Sequence, residues 1–226
     1  MPVYHAIILA RGNSKGLKNK NILKVKNKPM LYWSIKQSTG SKKINYTWVS
    51  SDSKRILAIA KKNGCGIILR PKKISGDKAS SEKAWLHAIN YLKKKKFKID
   101  NVVGIQPTSP IRESSDFDNS IDKFETENYD SLFSSCKIND YNVWKKNKLK
   151  ILSANYNYKK RKLRQQIDDK FLENGSFYIF KAKKFLKFKC RLFGKIGMFI
   201  MPKSKSIQVD DQIDLDMVNL LAKKYL

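Results

Sequence analysis

Acidic residues are scarce in this 226-residue chain: 19 Asp and Glu stand against 48 Lys and Arg, a formal charge of +29. Histidine is nearly absent too, with only His5 and His87, one at the start of a predicted strand and one inside a predicted helix. That makes histidine acid–base chemistry improbable and favours packing roles for both. Three cysteines, Cys65, Cys136 and Cys190, form no C-x-x-C pair and have no histidine at metal spacing, which argues against a disulfide framework or a zinc site and for free thiols in a reducing compartment. No apolar run approaches the roughly 18 residues of a membrane span. The opening "MPVYHAIILA" has no basic leader region, so the expected location is cytoplasmic. Neither an internal repeat nor a Pro/Gly/Ser linker divides the chain, and we expect one domain over 1–226.

What is abundant is lysine. It recurs in "KNKNILKVKNK", "KKKKFK", "YKKRKLR" and "KAKKFLKFK", in every part of the sequence. Such a charge invites a nucleic-acid partner, which calls for basic residues gathered on one face with aromatics between them and for binding that weakens steeply with salt. Dispersed lysines fit solvated helix faces better.

The apolar pattern alternates. Residues 4–10 read as a buried strand, 29–39 as a helix with Leu31 and Ile35 on one face, and 46–51 as a strand. A helix follows over 53–64 with Ile56, Ile59 and Ala60 inward, then a strand over 66–70. Residues 80–92 form a helix capped by Ser80 or Ser81, 101–106 another strand, and 115–125 a helix. This rhythm predicts an α/β fold with a parallel sheet covered on both faces, whose ligands sit at the carboxyl ends of the strands. "ARGNSKG" and "QPTSPIR" both fall there. Beyond residue 130 strands dominate. Residues 140–170 show little apolar periodicity and read as a protruding arm. The last helix is expected to turn Ile213, Met217, Leu220 and Leu221 inward.

The first strand runs into "ILARGNSKGLKNKN", with Gly12 and Gly16 among Arg11, Lys15, Lys18 and Lys20. Glycines permit close backbone approach, and the cations offset the charge of a polyphosphate; a solvated turn in a lysine-rich chain is the alternative. The spacing is neither the dinucleotide nor the Walker pattern.

With these residues on the page, the chain resembles the N-acylneuraminate cytidylyltransferases, which activate sialic acid and related nonulosonic acids. "ILARGNSKGLKNKN", "VSSDS", "LRPKKISGDKASS", "QPTSPIR", "RQQIDDKFLENGSFYIF" and "KSIQVDDQID" match in order and spacing across nearly the whole chain. The resemblance implies a mostly parallel, doubly wound (Rossmann-like) nucleotidyltransferase sheet with a dimerisation arm over about 138–172. It implies a homodimer or tetramer, and a step of glycan biosynthesis in which CTP and the acid sugar give a CMP-sugar and pyrophosphate with Mg²⁺. Carried over by position, Leu9, Ala10, Arg11, Gly12, Asn13, Lys15, Lys20, Asn21, Arg70 and Ser81 belong to the CTP site. Gln106, Arg164 and Asn174 belong to the sugar site, and Asp210 to the metal. Arg11, Lys15, Lys20 and Asp210 carry the catalytic charge stabilisation.

Asp210 and Asp211 precede the last helix, so capping is the other reading of either residue. The chain also departs from the family. Gln208 stands where many relatives carry the first carboxylate of an Asp-x-Asp, so a neutral amide on a metal-bound water, or Asp211, would have to compensate. Leu172 and Glu173 stand where some relatives carry a basic residue, and Trp144 where some carry Lys or Arg. These changes leave the reaction class intact and open the sugar to legionaminic, pseudaminic or deaminated acids. The related enzyme for the eight-carbon acid is expected to carry Gly-Asp-Glu-Pro where this chain has "QPTSP".

Overall fold

The computed structural model describes residues 1–14, 16–138 and 142–226, without the side chain of Arg164. In the first half, β1 (Tyr4–Leu9), β2 (Lys24–Val25), β3 (Lys28–Pro29), α1 (Met30–Thr39), β4 (Tyr46–Ser51), α2 (Lys54–Lys62), β5 (Gly66–Leu69), α3 (Ser81–Lys94) and β6 (Asn101–Ile105) follow one another. Then come α4 (Ser114–Thr126), β7 (Ser131–Ile138), β8 (Trp144–Lys146), β9 (Ile151–Ser153), β10 (Lys170–Lys181), α5 (Ala182–Phe188), β11 (Ile196–Ile200) and α6 (Gln212–Tyr225).

Seven strands form one sheet in the order β11-β7-β10-β6-β1-β4-β5. The pairs β1–β4, β1–β6, β4–β5 and β7–β11 are parallel, and β10 runs antiparallel to both β6 and β7. Strand periodicity sends alternate residues to opposite faces. Ala6 and Ile8 of β1 pack with Leu31, Ile35, Ile56, Phe117 and Ile121 from α1, α2 and α4. Ile7, one residue out of phase, packs with Trp85, Ala88 and Ile89 of α3 and Phe185 of α5. The expected two-sided cover is therefore present. Gly104, at the centre of β6, lets the Trp85 ring lie on the strand: a Cβ there would meet Trp85 Cζ2 at 2.6 Å.

His5 is fully buried on β1. Its Nδ1 accepts from the Trp48 indole N–H at 3.0 Å, and its Nε2 lies 2.9 Å from the Lys98 carbonyl, so the ring packs as a neutral tautomer with Nε2–H donating. The three cysteines are free. Among the described residues no helix is long and apolar enough to cross a membrane.

Three expectations change. The arm, which shows little apolar periodicity, holds a two-stranded hairpin: β9 lies within "KLKILS", which reads as a strand, whereas its partner β8 was not expected. The short helix α5 follows β10 in a stretch read only as basic. The third is the phase of α6, where Ile213, Met217 and Leu220 are 70%, 40% and 65% exposed. Leu215, Val218 and Ala222 turn inward instead, against Val25, Met30, Trp33, Ile111 and Val209, with Leu221 at the edge. The helix carries two apolar stripes and starts at a cap on Asp211, and packing on α1 and the β2–β3 hairpin selects the stripe of Leu215, Val218 and Ala222.

Candidate functional site: a basic pocket at the strand ends

The loops that leave β1, β4, β5 and β6 converge on one side of the sheet. Between them lies a cavity of about 320 Å³, bounded by the 9–21 loop, the 70–81 segment, residues 106–108 and residues 208–210. This is the crevice in which an open α/β sheet takes its ligand.

Arg11 and Lys20 both enter the cavity, and each holds a carboxylate across it. Arg11 Nη1 donates to Asp77 Oδ1 at 2.8 Å and Lys20 Nζ to Asp210 Oδ1 at 2.7 Å. Asn21 is buried and clamps the loop, donating from Nδ2 to the Arg11 carbonyl at 2.9 Å. The glycines serve contacts within the protein. Gly12 N–H donates to Asp52 Oδ1 at 2.9 Å, so that amide is already engaged. At Gly16 a Cβ would lie 2.6 Å from the Asp210 carbonyl oxygen, and only a bare backbone can pass that close. The loop after the first strand is thereby pressed against the segment before the last helix.

Arg70 leaves β5 almost wholly buried, its Nε donating to Ser75 Oγ at 3.0 Å. Burial pulls its pKa below the usual guanidinium range; Asp52 opposes this and Arg11 adds to it. Ser80 caps α3 by accepting from Lys83 N–H, and Ser80 and Ser81 both face the cavity. The N-terminal turn of this helix opens there, with the positive end of its dipole toward the cavity. Ser14 also lines the cavity, with a buried hydroxyl that has no hydrogen-bond partner among the described residues.

The structure thus brings Leu9, Arg11, Lys20, Asn21, Arg70, Ser81, Gln106 and Asp210 of the sequence-derived set to one cavity. It separates others. The side chain of Ala10 is buried in the core, its N–H tied to the Ser50 carbonyl at 3.1 Å. Gly12 and Asn13 do not line the cavity, and Asn13 points to solvent. Asn174, expected at the sugar site, does not line this cavity. It is buried, accepting at Oδ1 from Ser134 Oγ at 2.6 Å and from Ser176 N–H at 3.2 Å, and donating from Nδ2 to Ser206 Oγ at 3.1 Å. Those bonds join β7, β10 and the 201–206 loop beneath the cavity. Lys15 lies outside the described residues. Arg164 opens a short 3-10 turn, Arg164–Gln166, and its side chain is not described.

The sequence reading missed the residues that hold this site from below. Arg112 is fully buried and donates to Gln37 Oε1, the Ser176 carbonyl and hydroxyl, Ser34 Oγ and the Gln106 carbonyl, at 2.5–3.2 Å. Burial brings its pKa down to about 9, with Asp116 opposing, so it stays charged at pH 7. Lys205 bridges Asp116 at 2.8 Å and Glu113 at 2.7 Å, fastening the 203–210 loop to α4. The position of Arg112 at the end of "QPTSPIR" was the available signal, but burial cannot be read from one arginine.

Asp210 and Asp211 divide the labour their sequence left open. Asp211 Oδ1 accepts the Asp214 N–H at 3.0 Å and caps α6, so it is committed. Asp210 turns its carboxylate into the cavity, with the side chain 72% exposed. Among the described residues no group of three or more Asp, Glu, His or Cys is placed to hold a metal ion. One accessible carboxylate is nonetheless a fitting donor for Mg²⁺, which binds through one or two carboxylates and completes its shell with substrate phosphates and water.

Comparison with known proteins agrees with this geometry. The family described as Cytidylyltransferase matches residues 5–215. An N-acylneuraminate cytidylyltransferase of Escherichia coli O18:K1:H7 is 30% identical over 97% of this chain and 52% of its own length. The post-translational flagellin modification protein B of Campylobacter coli is 31% identical over 96% of this chain and 94% of its own. The chain spans about half the length of several curated relatives, including N-acylneuraminate cytidylyltransferase A of Danio rerio, covered to 48%. A solved CMP:2-keto-3-deoxy-manno-octonic acid synthetase, complexed with CTP, shares the fold at TM-score 0.72 and 16% identity, with 99% of this chain and all of that one covered. A 4-diphosphocytidyl-2C-methyl-D-erythritol synthase of Anaerococcus prevotii does so at 0.69 and 12%, with 99% of each chain covered. With its family matched over nearly all its length and its cations, helix terminus and acid gathered at the carboxyl ends of the sheet, this chain belongs to the cytidylyltransferases.

Proposed function

We propose that this protein transfers a cytidylyl group from CTP to a nonulosonic acid. The anomeric hydroxyl oxygen bonds to the α-phosphorus, the bond from that phosphorus to the β-phosphate bridge breaks, and the products are a CMP-sugar and pyrophosphate with loss of the hydroxyl proton. The observation that carries this is the meeting of Arg11, Lys20 and Asp210 around one cavity, in a chain aligned with N-acylneuraminate cytidylyltransferases over nearly all its length.

The residues supply position and charge, and no covalent intermediate is needed. Arg11 and Lys20 exchange their carboxylate partners for phosphate oxygens and offset the charge that builds on the leaving pyrophosphate. The N-terminal turn of α3, with Ser80 and Ser81, and Arg70 face the nucleoside side, and Gln106 the sugar side. With Lys20 drawn to phosphate, the Asp210 carboxylate would be the protein's ligand to Mg²⁺. Bound there, the ion would shield the phosphates and polarise the α-phosphoryl group. The β8–β9 hairpin exposes Val143, Trp144, Leu149, Ile151 and Leu152, and a second copy of the chain covers this arm in a homodimer.

Pyrophosphate release, measured with CTP and Mg²⁺ against a panel of N-acylated and deaminated nonulosonic acids and the eight-carbon acid, tests the reading. Turnover with a nine-carbon acid supports it. Absence of turnover with all of them, alongside normal CTP binding, refutes it.

A further inference from the structure

Gln208 lines the cavity, and its amide Nε2 donates to Gln106 Oε1 at 3.1 Å. The pair rests on Gly175 of β10, whose φ is 64° and where a Cβ would lie 2.3 Å from Gln208 Nε2 and 3.5 Å from Gln106 Oε1. Both partners are fixed through their backbones. Gln106 N–H donates to the Ser176 carbonyl at 3.2 Å, and its own carbonyl accepts from Arg112 Nη2 at 3.2 Å. Beside Gln208, Val209 N–H donates to the Thr108 carbonyl at 2.8 Å. The 106–108 and 208–209 segments are thus stitched together by one backbone and one side-chain bond. Two primary amides bonded in this way spend one donor hydrogen and one acceptor on each other. Turning both amides together reverses the bond and turning one alone breaks it, and in either bonded arrangement each amide keeps at least one N–H and its carbonyl oxygen keeps accepting capacity.

We propose that Gln208 is a specificity-determining residue on the sugar side of the pocket. With Gln106 it forms a neutral amide pair that reads a substituent offering both an acceptor and a donor, as a secondary amide does, and disfavours a charged group there. This rests on the sugar-activating function proposed above.

The test is steady-state kinetics of wild type, Gln208→Met and Gln208→Glu with an N-acylated acid sugar and its deaminated counterpart, KM for CTP being measured in parallel. Losing one paired amide raises the KM for the N-acylated sugar by about 3- to 10-fold, the size of one hydrogen bond. The preference over the deaminated acid shrinks accordingly, and KM for CTP moves less than about twofold. Gln208→Glu raises the sugar KM further, because a carboxylate replaces a neutral partner. An unmoved sugar KM, with a shifted KM for CTP or Mg²⁺ requirement, overturns the inference while leaving the reaction standing. A wild-type protein that binds CTP but turns over no acid sugar overturns both. A variant's unchanged KM for CTP shows that it is folded.

Discussion

Replacing Arg112 with methionine is the severest test of how this site is built. The guanidinium makes five hydrogen bonds in the core, to groups on α1, on β10 and on the loop after β6, with the Phe117 ring centroid 5.6 Å away. Methionine fills much of the volume and supplies no donor. The Ser34 and Ser176 hydroxyls can rotate to other acceptors, and the Ser176 carbonyl keeps the Gln106 N–H. Gln37 Oε1 and the Gln106 carbonyl are left without a bond. At about 1–3 kcal/mol for each buried orphan, plus the lost bonds to a charged donor, the cost comes to about 3–5 kcal/mol after the relief of no longer burying a cation. For a chain of this size that lowers Tm by about 6–20 °C. Urea and thermal unfolding at pH 7 give the stability, and kinetics below the new Tm give the function. Gln106 loses the bond on its carbonyl, so KM for the acid sugar rises more than KM for CTP. A stability loss under about 1 kcal/mol together with an unmoved sugar KM would refute the reasoning.

Lys20→Ala removes the cation that, in the proposed reaction, offsets the departing phosphates, and is expected to lower kcat by about 10² or more; near-normal turnover in a pyrophosphate assay counts against a triphosphate role for the loop. Burial holds His5 below its ordinary pKa of 6.5, with the Lys98 carbonyl and Asp100 partly opposing. The unfolded chain therefore takes up a proton below pH 6.5 that the folded one refuses, and stability falls as the pH drops through that window. Urea midpoints between pH 7 and 5 should decline in wild type and decline less in His5→Gln; a flat wild-type profile contradicts the neutral buried ring. Gly104→Ala drives a Cβ to 2.6 Å from Trp85 and should cost about 1–3 kcal/mol in urea unfolding, whereas an unchanged midpoint means that the ring moves aside freely.

Local pattern made the alternating strands and helices of residues 4–125 readable, because each element carries its own apolar period and most end at a Gly, Pro or Ser signal. β4 falls on the predicted residues 46–51, and α3 begins beside the Ser80 cap. Arg11 and Lys20 were legible for the same reason: they belong to one cation-rich run of sequence before they share a cavity. Long-range consequences were not legible. Nothing in "ENGSF" says that Asn174 turns under the floor while Gly175 carries an amide pair above it. Nor do two adjacent aspartates announce that one caps a helix and the other faces Lys20.

The amino-acid order by itself determined most of the elements, the sheet's two-sided cover, the strand ends at which the cavity opens, and the family. Tertiary packing alone decided which stripe of α6 is inward, which carboxylate each cation holds, and that Arg112 and Lys205 brace the pocket from beneath. The physical reason is range. Propensity and periodicity act over a few residues, whereas an ion pair such as Lys20–Asp210 joins groups 190 positions apart and exists only once the sheet has brought its strand ends together.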